Sequence, residues 1–551
     1  MATTTTDTAR PTLFLRNATG LVKAWSTFDA FLYAFWSVNL VTLGLYGMSF
    51  VYAIPDGQLL LAVLLTGVLV TFLVLTYAQL VSAMPRAGGD YAWQSRILGG
   101  GIGFVLAITG WWFTLWLWTP IYANILIVQF FAPLAYTLGW TGVATFFGSK
   151  TGVFVSCLIV LAFVSWVITL GMEGYAKIQR FCFWLGMGGL VVMLGLLLFS
   201  THQAFIDAFN REAGSLFGAT GNAYQATLAA STKGGGPTGV GFGSFGITST
   251  FLLLPFLAFY LLWPVWGATL YGEVRGAKEY RKVFNAMFWG LWVTVALVAV
   301  IILLIVKTIG WDFYYAANAS YWNSIFAVAG APAPPVGIWP YPVMLAGWLV
   351  NSHLFQALLI VVMGLWFFGW AGTLFLSSTR VIFAAAFDRV LPEWAANISA
   401  KRRVPYGSLI LMIIPSLIVS AIWAYQPSFQ GIFLWATGVI AITFLGTVIA
   451  GAIMPWRRKD IFENSPIARF RVAGIPVITI TGVVSAIFIV FMLAEWSFNA
   501  VYGTSFSLNA SSPIYFAATY LVAIAIYVVA RVVRKRQGID LARIHREIPV
   551  E

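Results

Sequence analysis

Charged residues, histidine and cysteine are scarce in this sequence. Of its 551 residues, 9% are charged, three are histidine and two are cysteine, whereas 60% are hydrophobic. So low a charged fraction excludes an ordinary water-soluble protein. The cysteines, Cys157 and Cys182, stand inside apolar runs without polar neighbours. They are therefore expected to be core residues, and neither a disulfide nor a thiolate metal site is predicted.

Acidic residues are missing from the middle of the apolar runs, where ion and proton pathways usually place them. The nearest are Asp29, at the start of the first run, and Glu273, at the end of the sixth. Asp29 is expected to stabilise the N-terminus of a helix. For Glu273, a salt bridge with nearby basic residues and a role in gating are equally open. No two histidines have the spacing of a helical metal pair. No catalytic residue or cofactor is predicted, and an intramembrane enzyme would require His353 to meet acidic residues in a cavity.

Long apolar runs, by contrast, are abundant. Crossing a bilayer takes about 20 apolar residues, and twelve runs are long enough. The predicted fold class is therefore an all-α integral membrane protein with about 12 transmembrane helices. The third and eighth runs exceed the bilayer, which predicts tilt or a kink. The runs are 28–54, 59–83, 99–131, 152–171, 181–200, 248–271, 284–309, 343–386, 406–424, 431–454, 474–494 and 513–533.

The net charge of +13 reflects topology. All of the 31 lysines and arginines except Lys150, Arg211, Lys233 and Lys307 fall on one side of the predicted membrane, which we call the basic face. Twelve spans put both chain ends on this face. Because cytoplasmic loops are rich in lysine and arginine, both termini are expected in the cytoplasm, with the protein in the cell membrane. The charges are dispersed over many segments, so nucleic acid is not an expected partner, whereas membrane lipid is.

Two connections on the opposite face are unusually long. Residues 201–247 carry the glycine-rich stretch GGGPTGVGFGSFG, and residues 310–342 carry APAPPVGIWPYP. Such segments serve as lids over a substrate path or as flexible connectors. Both interpretations remain open for the first segment, whereas the aromatics and prolines of the second predict packed structure.

Polar residues and proline interrupt two of the runs near mid-depth. The first run contains Ser37, Asn39 and Thr42, and the sixth contains Pro264 and Gly267. A broken membrane helix exposes main-chain amides and carbonyls, which bind the carboxylate and the amine of a zwitterion. Equivalent interruptions at the start of two five-span units indicate a transporter site between two repeats.

The segments on the basic face resemble those of the amino acid/polyamine/organocation (APC) superfamily of permeases. MPRAGGDYAW follows the second run, GMEGYAKIQRF the fourth and TRVIFAAAFDRVLPEW the eighth. A weaker match is GEVRGAKEYRK, in which Glu273 falls on a position that is typically acidic. These motifs occur in the order that the superfamily shows, from about residue 25 to 405.

The resemblance implies a LeuT-type fold, with two inverted five-helix repeats, two C-terminal helices and alternating access around a central site. It divides the chain into an N-terminal cytoplasmic tail (1–24), a first repeat (25–200), an external glycine-rich loop (201–247), a second repeat (248–454), helices 11 and 12 (455–533) and a C-terminal cytoplasmic tail (534–551). The substrate residues expected from the two breaks are Ser37, Val38, Asn39, Leu40, Val41, Thr42, Phe259, Tyr260, Leu262, Trp263, Pro264 and Gly267.

The chain departs from the superfamily at both breaks, because the first lacks the usual glycine-rich sequence and the sixth has Leu262, Trp263 and Pro264 in place of the usual glycine. The surroundings are aromatic, which favours an apolar or aromatic ligand. The aromatic residues are Trp36, Phe259, Tyr260, Trp263 and Trp266. The lack of a buried carboxylate disfavours a dibasic or polyamine substrate.

The coupling ion is left open between sodium and a proton. Proton-coupled or sodium-independent relatives typically have a lysine in the fifth helix, where this chain has Gly186. Hydroxyls of the eighth helix suit sodium, and Thr373, Ser377 and Ser378 are the candidate metal ligands. Membrane hydroxyls also commonly bond to their own helix.

The predicted function is secondary active transport of an amino acid or related small amino compound, with sodium as a candidate coupling ion. The alternatives are a non-transporting sensor or partner subunit with the same fold, and a proton-coupled or exchanging permease for another small solute. The oligomeric state is not predicted.

Overall fold

The computed structural model describes residues 20–426, 429, 435–509 and 511–548. Parts of four predicted segments lie outside the described residues. They are positions 1–19 of the N-terminal tail, positions 427, 428 and 430–434 of the second repeat, of which 431–434 belong to the tenth run, position 510 of the segment with helices 11 and 12, and positions 549–551 of the C-terminal tail.

Helices make up nearly all of the regular structure, and twelve in the described residues are long and apolar enough to cross a membrane. This confirms the predicted all-α membrane fold. In chain order the spans are Thr27–Met48, Leu59–Ala83, Gly100–Thr137, Lys150–Thr169, Gly171–Phe199, Ile247–Glu273, Tyr280–Ile309, His353–Phe387, Tyr406–Tyr425, Ala436–Arg457, Val477–Phe498 and Ser511–Arg536.

Five spans change their helical geometry along their length. Span one consists of Thr27–Val38, a π-helical turn Leu40–Gly44 and Leu45–Met48. Span three consists of Gly100–Ile108, a π turn Thr109–Phe113, Leu115–Leu126, a π turn Ile127–Phe131 and Ala132–Thr137. Span six consists of Ile247–Leu261 and a 3-10 helix Trp266–Glu273, span seven of Tyr280–Leu304 and a π turn Ile305–Ile309, and span eight of His353–Ala371 and Thr373–Phe387.

Shorter elements lie between the spans. The helices are Val51–Ala53, Gly89–Ile97, Thr141–Gly148, His202–Phe217, Ala223–Lys233, Trp311–Ile325, Pro342–Gly347, Glu393–Ala396, Lys459–Glu463, Ala500–Tyr502 and Leu541–Ile544. The strands Arg471–Val472 and Ile475–Pro476 pair antiparallel, with Arg471 opposite Pro476. We call Gly89–Ile97 the connecting helix.

The packing of the spans follows the exchange pattern expected of two five-span repeats. Span one packs on span seven, and span six on span two. Span five packs on span eight, and span ten on the π turn of span three. If each span of the first repeat is exchanged with the span five places later, the pair of spans one and seven becomes six and two. In the same way, the pair of spans five and eight becomes ten and three. The two broken spans, one and six, therefore occupy equivalent positions.

The eighth span begins later than the sequence analysis predicted. Residues 342–347 form a separate short helix, and the span starts at His353. The reason is the polar pair Asn351 and Ser352, since the Ser352 hydroxyl caps the new helix by accepting a hydrogen bond from the amide of Phe355 at 3.4 Å.

The two long connections on the face opposite the basic face contain helices. Within residues 201–247, Thr201 caps the helix His202–Phe217 and Gly218 ends it with a φ of 68°. The second connection contains Trp311–Ile325, which packs on the helix Ala223–Lys233. Most of the first segment and about half of the second are thus helix, and the packed structure expected for the second segment is present.

Two glycines set the position of the connecting helix. Gly88 and Gly89 have φ values of 87° and 32°. A Cβ atom on Gly88 would lie 2.5 Å from that of Ala384, and one on Gly89 would lie 2.9 Å from the amide nitrogen of Thr269. The glycine pair of the motif therefore lets the connecting helix touch spans six and eight directly.

Candidate substrate site

The break in span one is made by Asn39. Its backbone is left-handed, with φ of 39° and ψ of 89°. The Asn39 side-chain oxygen accepts a hydrogen bond from the Thr42 amide at 2.9 Å, and its amide group donates to the carbonyl of Trp366 at 3.0 Å. Asparagine tolerates this backbone conformation and replaces the missing helical bonds. One residue thus ends the first helix at Val38 and starts the π turn at Leu40.

The break in span six is longer. The α-helix ends at Leu261, and the 3-10 helix begins at Trp266. Between them Pro264 lies in a turn that the bond from the Trp266 amide to the Trp263 carbonyl closes at 2.9 Å. A Cβ atom on Gly267 would lie 2.9 Å from the ring of Tyr33, so glycine allows spans one and six to approach here.

A cavity lies where the two breaks meet spans three, eight and ten. Its empty volume, which includes space open to solvent, is about 310 Å³. None of the lining side chains is charged, and most are aromatic or aliphatic. They are Ser37, Leu43, Leu115, Trp118, Tyr122, Trp263, Trp266, Trp370, Thr373, Leu374 and Ile440.

Two of the predicted substrate residues, Ser37 and Trp263, line this cavity. The others form the breaks and pack behind the wall. Thr42 offers its carbonyl to the Gln129 amide at 2.7 Å, and the ring of Tyr260 packs against Gly44 and Gly47. Val38, Leu40, Val41 and Leu262 are fully buried, Pro264 is buried in the turn, and Phe259 stacks on Trp118 at 5.8 Å.

The part of the wall that spans three, eight and ten contribute was not predicted from the sequence. In span three, Leu115, Trp118 and Tyr122 recur at helical spacing. Tyr122 stacks on Trp370 of span eight at 3.6 Å between ring centroids. The spacing predicts one common face for these residues. In a helix that is apolar all round, it does not indicate whether that face meets lipid, core or cavity.

The three candidate sodium ligands have different partners. The Ser377 hydroxyl donates to the Trp266 carbonyl at 2.9 Å and accepts from Tyr33 at 2.8 Å. The Thr373 hydroxyl lies 3.5 Å from that of Tyr122, and Ser378 faces the carbonyl of Leu374 in its own helix at 3.5 Å. Ser377 therefore links spans one, six and eight. At Gly186 a Cβ atom would lie 3.1 Å from the indole nitrogen of Trp366, so a lysine there would require Trp366 to shift by a few tenths of an ångström.

Comparison with known proteins decides the family. A family model described as amino acid permease matches residues 26–528, which is most of the chain. The chain belongs to the amino acid permease family. It is also similar to the branched-chain amino acid permease BcaP of Lactococcus lactis subsp. cremoris (strain MG1363), with 22% identity over 479 residues and 85% of each chain covered. The resemblance inferred from the sequence motifs is confirmed, and the permease is a multi-pass membrane transporter of amino acids rather than an enzyme.

The motifs of the permease meet on its basic face in two buried ion pairs. Arg380 bonds both oxygens of Glu273, at 2.8 and 3.2 Å. Arg96 bonds both oxygens of Asp388, at 2.5 and 2.8 Å. All four side chains are about 1% exposed. Glu273 is thus salt-bridged, and its partner is Arg380 of span eight.

Asp29 has the structural role that its position suggested. It forms a capping box with Ser26 at the start of span one, and its carboxylate accepts from Arg180 at 2.6 Å. The bond to Arg180 fastens the start of span one to span five.

His353 of the permease meets one acid, Glu212, at 3.2 Å on the face opposite the basic face. The histidine side chain is 47% exposed, and Glu212 also bonds Arg211 and Gln356. In the described residues no group of three or more His, Cys, Asp or Glu side chains is arranged to hold a metal ion. Cys157 and Cys182 are buried and do not bond to each other.

Proposed function

We propose that the permease carries an amino acid with an apolar, branched side chain across the cytoplasmic membrane by alternating access. The observation that supports this most is the cavity at the two helix breaks, because its wall is uncharged and mostly aromatic or aliphatic. Such a wall suits an apolar side chain and disfavours charged side chains, which would lose hydration without gaining a partner. The similarity to a branched-chain amino acid permease supports the same substrate class.

The main chain supplies the polar contacts in this proposal. The first helix of span one ends at Val38 and the π turn starts at Leu40. The carbonyl end of the first piece and the amide end of the second therefore lie next to each other. The amine of the substrate is attracted to helix C-terminal carbonyls, and its carboxylate to N-terminal amides. Ser37 and Leu43, on either side of this break, both line the cavity. The substrate backbone would therefore bind here and its side chain would point towards Trp263.

In this proposal the basic face is cytoplasmic, as the distribution of lysine and arginine predicts. The two buried ion pairs would close the path on that side. Opening requires Arg380 and Glu273, or Arg96 and Asp388, to separate and become hydrated. A fusion of a reporter active only outside the cytoplasm tests the orientation, since activity of a C-terminal fusion contradicts it.

Sodium coupling remains a prediction that rests on Thr373, Ser377 and Ser378. Hydroxyl oxygens are suitable sodium ligands, and Thr373 also lines the cavity. Binding of sodium to Ser377 would compete with its bond to the Trp266 carbonyl. Uptake in sodium compared with choline buffer, at equal ionic strength, tests this prediction.

The first experiment combines binding and flux. Thermal unfolding of the detergent-purified protein is measured with L-leucine, L-lysine and L-glutamate, because a ligand that binds the folded state raises Tm. Uptake of labelled L-leucine into proteoliposomes follows. The expected result is a rise in Tm and uptake with leucine alone, reduced in Trp263→Ala.

Trp184→Ala provides the matched control, because the Trp184 side chain lies on span five and is 66% exposed. It should transport leucine as the unchanged protein does. Stabilisation by leucine without flux would favour a sensor over a transporter. Stabilisation by lysine or glutamate instead of leucine would contradict the proposed substrate class.

A further inference from the structure

Asp90, in the connecting helix, is a buried carboxylate surrounded by neutral hydrogen-bond donors. Its side chain is 0% exposed. Oδ1 accepts from the Tyr77 hydroxyl at 2.5 Å and the Thr447 hydroxyl at 2.6 Å, whereas Oδ2 accepts from the Trp111 indole at 3.1 Å. Gln94 donates to the Thr447 oxygen at 2.7 Å, which orients that hydroxyl towards Asp90.

The other buried acids of the described chain have a different environment. Asp29, Glu212, Glu273 and Asp388 each form an ion pair with an arginine. Within the described residues Asp90 has no such partner, and all of its bonds come from uncharged groups. A buried carboxylate without a cation is costly to keep ionised, so it binds a proton more readily than the paired acids do.

Few charged groups face Asp90 from the surrounding elements. The connecting helix packs on span three, span ten, the second half of span eight and the 3-10 helix of span six, and Tyr77 comes from span two. Arg380 and Glu273 are bonded to each other, as are Arg96 and Asp388. Further titratable groups near these contacts are Arg86, Tyr91, Tyr271, Arg457, Arg458 and His545. Arg458 donates to the Arg96 carbonyl at 2.9 Å, and the ring nitrogen of His545 lies 3.1 Å from the Tyr91 hydroxyl.

The three donors to Asp90 belong to both repeats. Tyr77 and Trp111 lie on spans two and three, and Thr447 lies on span ten. Any movement of one repeat against the other therefore changes the bonds to this carboxylate. Trp111 also packs on Trp266 at 4.2 Å between ring centroids, and Trp266 lines the cavity. One side chain thus separates Asp90 from the cavity wall.

We propose that Asp90 is a proton-binding site coupled to the conformation of the transporter. Its carboxyl takes a proton from water at the basic face when the packing around the connecting helix closes, and returns it to water there when that packing opens. The proton binds to Oδ2, because one side chain, Trp111, donates to this oxygen, whereas two side-chain hydroxyls donate to Oδ1. The coupling to substrate rests on the proposed function, whereas the proton site itself does not, and neither depends on the sodium prediction.

The direction of the pH effect follows from the burial of this carboxyl. Burial raises the pKa of Asp90 from 3.8 to about 6, although the hydrogen bonds from Thr447, Tyr77 and Trp111 act in the opposite direction. In an open form that hydrates the carboxyl, the pKa returns towards its ordinary value. The closed form therefore binds the proton more tightly, and it loses stability relative to the open form as pH rises from about 4 to about 6.

Two measurements on the purified full-length protein test the proposal. Infrared difference spectra between pH 4 and 8 should contain the carbonyl stretch of a protonated carboxyl that titrates near pH 6 and is lost in Asp90→Asn. Proton exchange with a weakly buffered solution on addition of L-leucine, followed with a pH indicator, should be lost in the same variant. Glu212→Gln, a buried acid on the opposite face, should retain both signals.

Tyr77→Phe provides a second variant in case Asp90→Asn fails to fold. Loss of this donor should move the titration of the carboxyl band to higher pH. A spectrum unchanged by Asp90→Asn, or leucine binding without proton exchange in the unchanged protein, would overturn the proposed coupling. If leucine fails to bind but the Asp90 band titrates near pH 6, the proton site stands and the proposed leucine transport is what fails.

Discussion

In span one a single residue, Asn39, makes the break, whereas in span six residues 262–265 are needed. The first break satisfies its own polar groups through the Asn39 side chain and is fixed to span eight by the bond to Trp366. The second is followed by a 3-10 helix whose last residue, Glu273, is held by Arg380 at the basic face. Two equivalent positions in the repeats thus differ in what secures them. The side-chain amide of Asn39 stabilises the first break directly, whereas the Arg380–Glu273 ion pair holds the end of the 3-10 helix that follows the second break.

The largest expected effect is on the ion pair. Arg380→Ala leaves Glu273 buried without a cation, which should lower the free energy of unfolding by about 3–5 kcal/mol. Thermal unfolding in detergent measures the loss. The control is Lys282→Ala, because Lys282 pairs with Glu279 at the surface, where both side chains are more than half exposed, and the loss should be less than about 1 kcal/mol. Equal shifts in the two variants would contradict a special role for the buried pair.

The next effect is on the first break. Asn39→Ala removes the bonds to Thr42 and Trp366 and keeps a β-carbon at positive φ without the polar side chain that lets asparagine tolerate it, so a loss of about 2–4 kcal/mol is expected. Asn39→Gly loses the same bonds but tolerates the backbone, and it should be about 1 kcal/mol more stable than the alanine variant. Thermal unfolding of both variants checks this. If they unfold alike, the left-handed backbone of Asn39 is not what this position requires.

A smaller effect is expected on the cavity wall. Trp263→Ala should raise the Kd for leucine about tenfold, corresponding to about 1.4 kcal/mol, because the indole covers the apolar side chain of the substrate. Isothermal titration checks the value, and Trp263→Phe should fall between the two. An unchanged Kd would remove the second break from the substrate site.

The smallest effect is expected for Pro264→Ala. The turn is closed by the bond between Trp266 and Trp263, so the break should persist without proline, with a change in uptake of less than about twofold. A large loss of uptake would indicate that proline itself, rather than the glycine and the ion pair beyond it, makes the break in span six.

The sequence predicted the fold better than the site, for physical reasons. Each span is a long apolar run bounded by polar residues, so the count of twelve follows from hydropathy alone. Asn39 and Pro264 also marked the two breaks correctly. The helix His202–Phe217 was not predicted, although its Thr201 cap and Gly218 end are ordinary helix signals. The segment 201–247 was interpreted as a lid or a flexible connector because a glycine-rich stretch follows this helix.

The wall of the cavity and the environment of Asp90 depend on contacts between distant spans. Trp118, Trp370 and Ile440 belong to spans three, eight and ten, and nothing local distinguishes them from aromatic or aliphatic residues that face lipid. Asp90 stands beside a glycine pair in a short polar segment, where a carboxylate is expected to be hydrated. Only the packing of Tyr77, Trp111 and Thr447 around it makes this carboxylate unusual.

The exchange of partners between the repeats has a consequence for biosynthesis. Spans one and two pack on span seven, whose synthesis begins roughly 200 residues after span two ends. At a translation rate of about 5–20 residues per second, that interval is roughly 10–40 s. During it, the first two spans have no access to this packing surface, and the polar groups of the break in span one are exposed to lipid or to the insertion machinery. Early termination before residue 280 would therefore leave a membrane-inserted fragment that lacks these contacts and is a target for quality control.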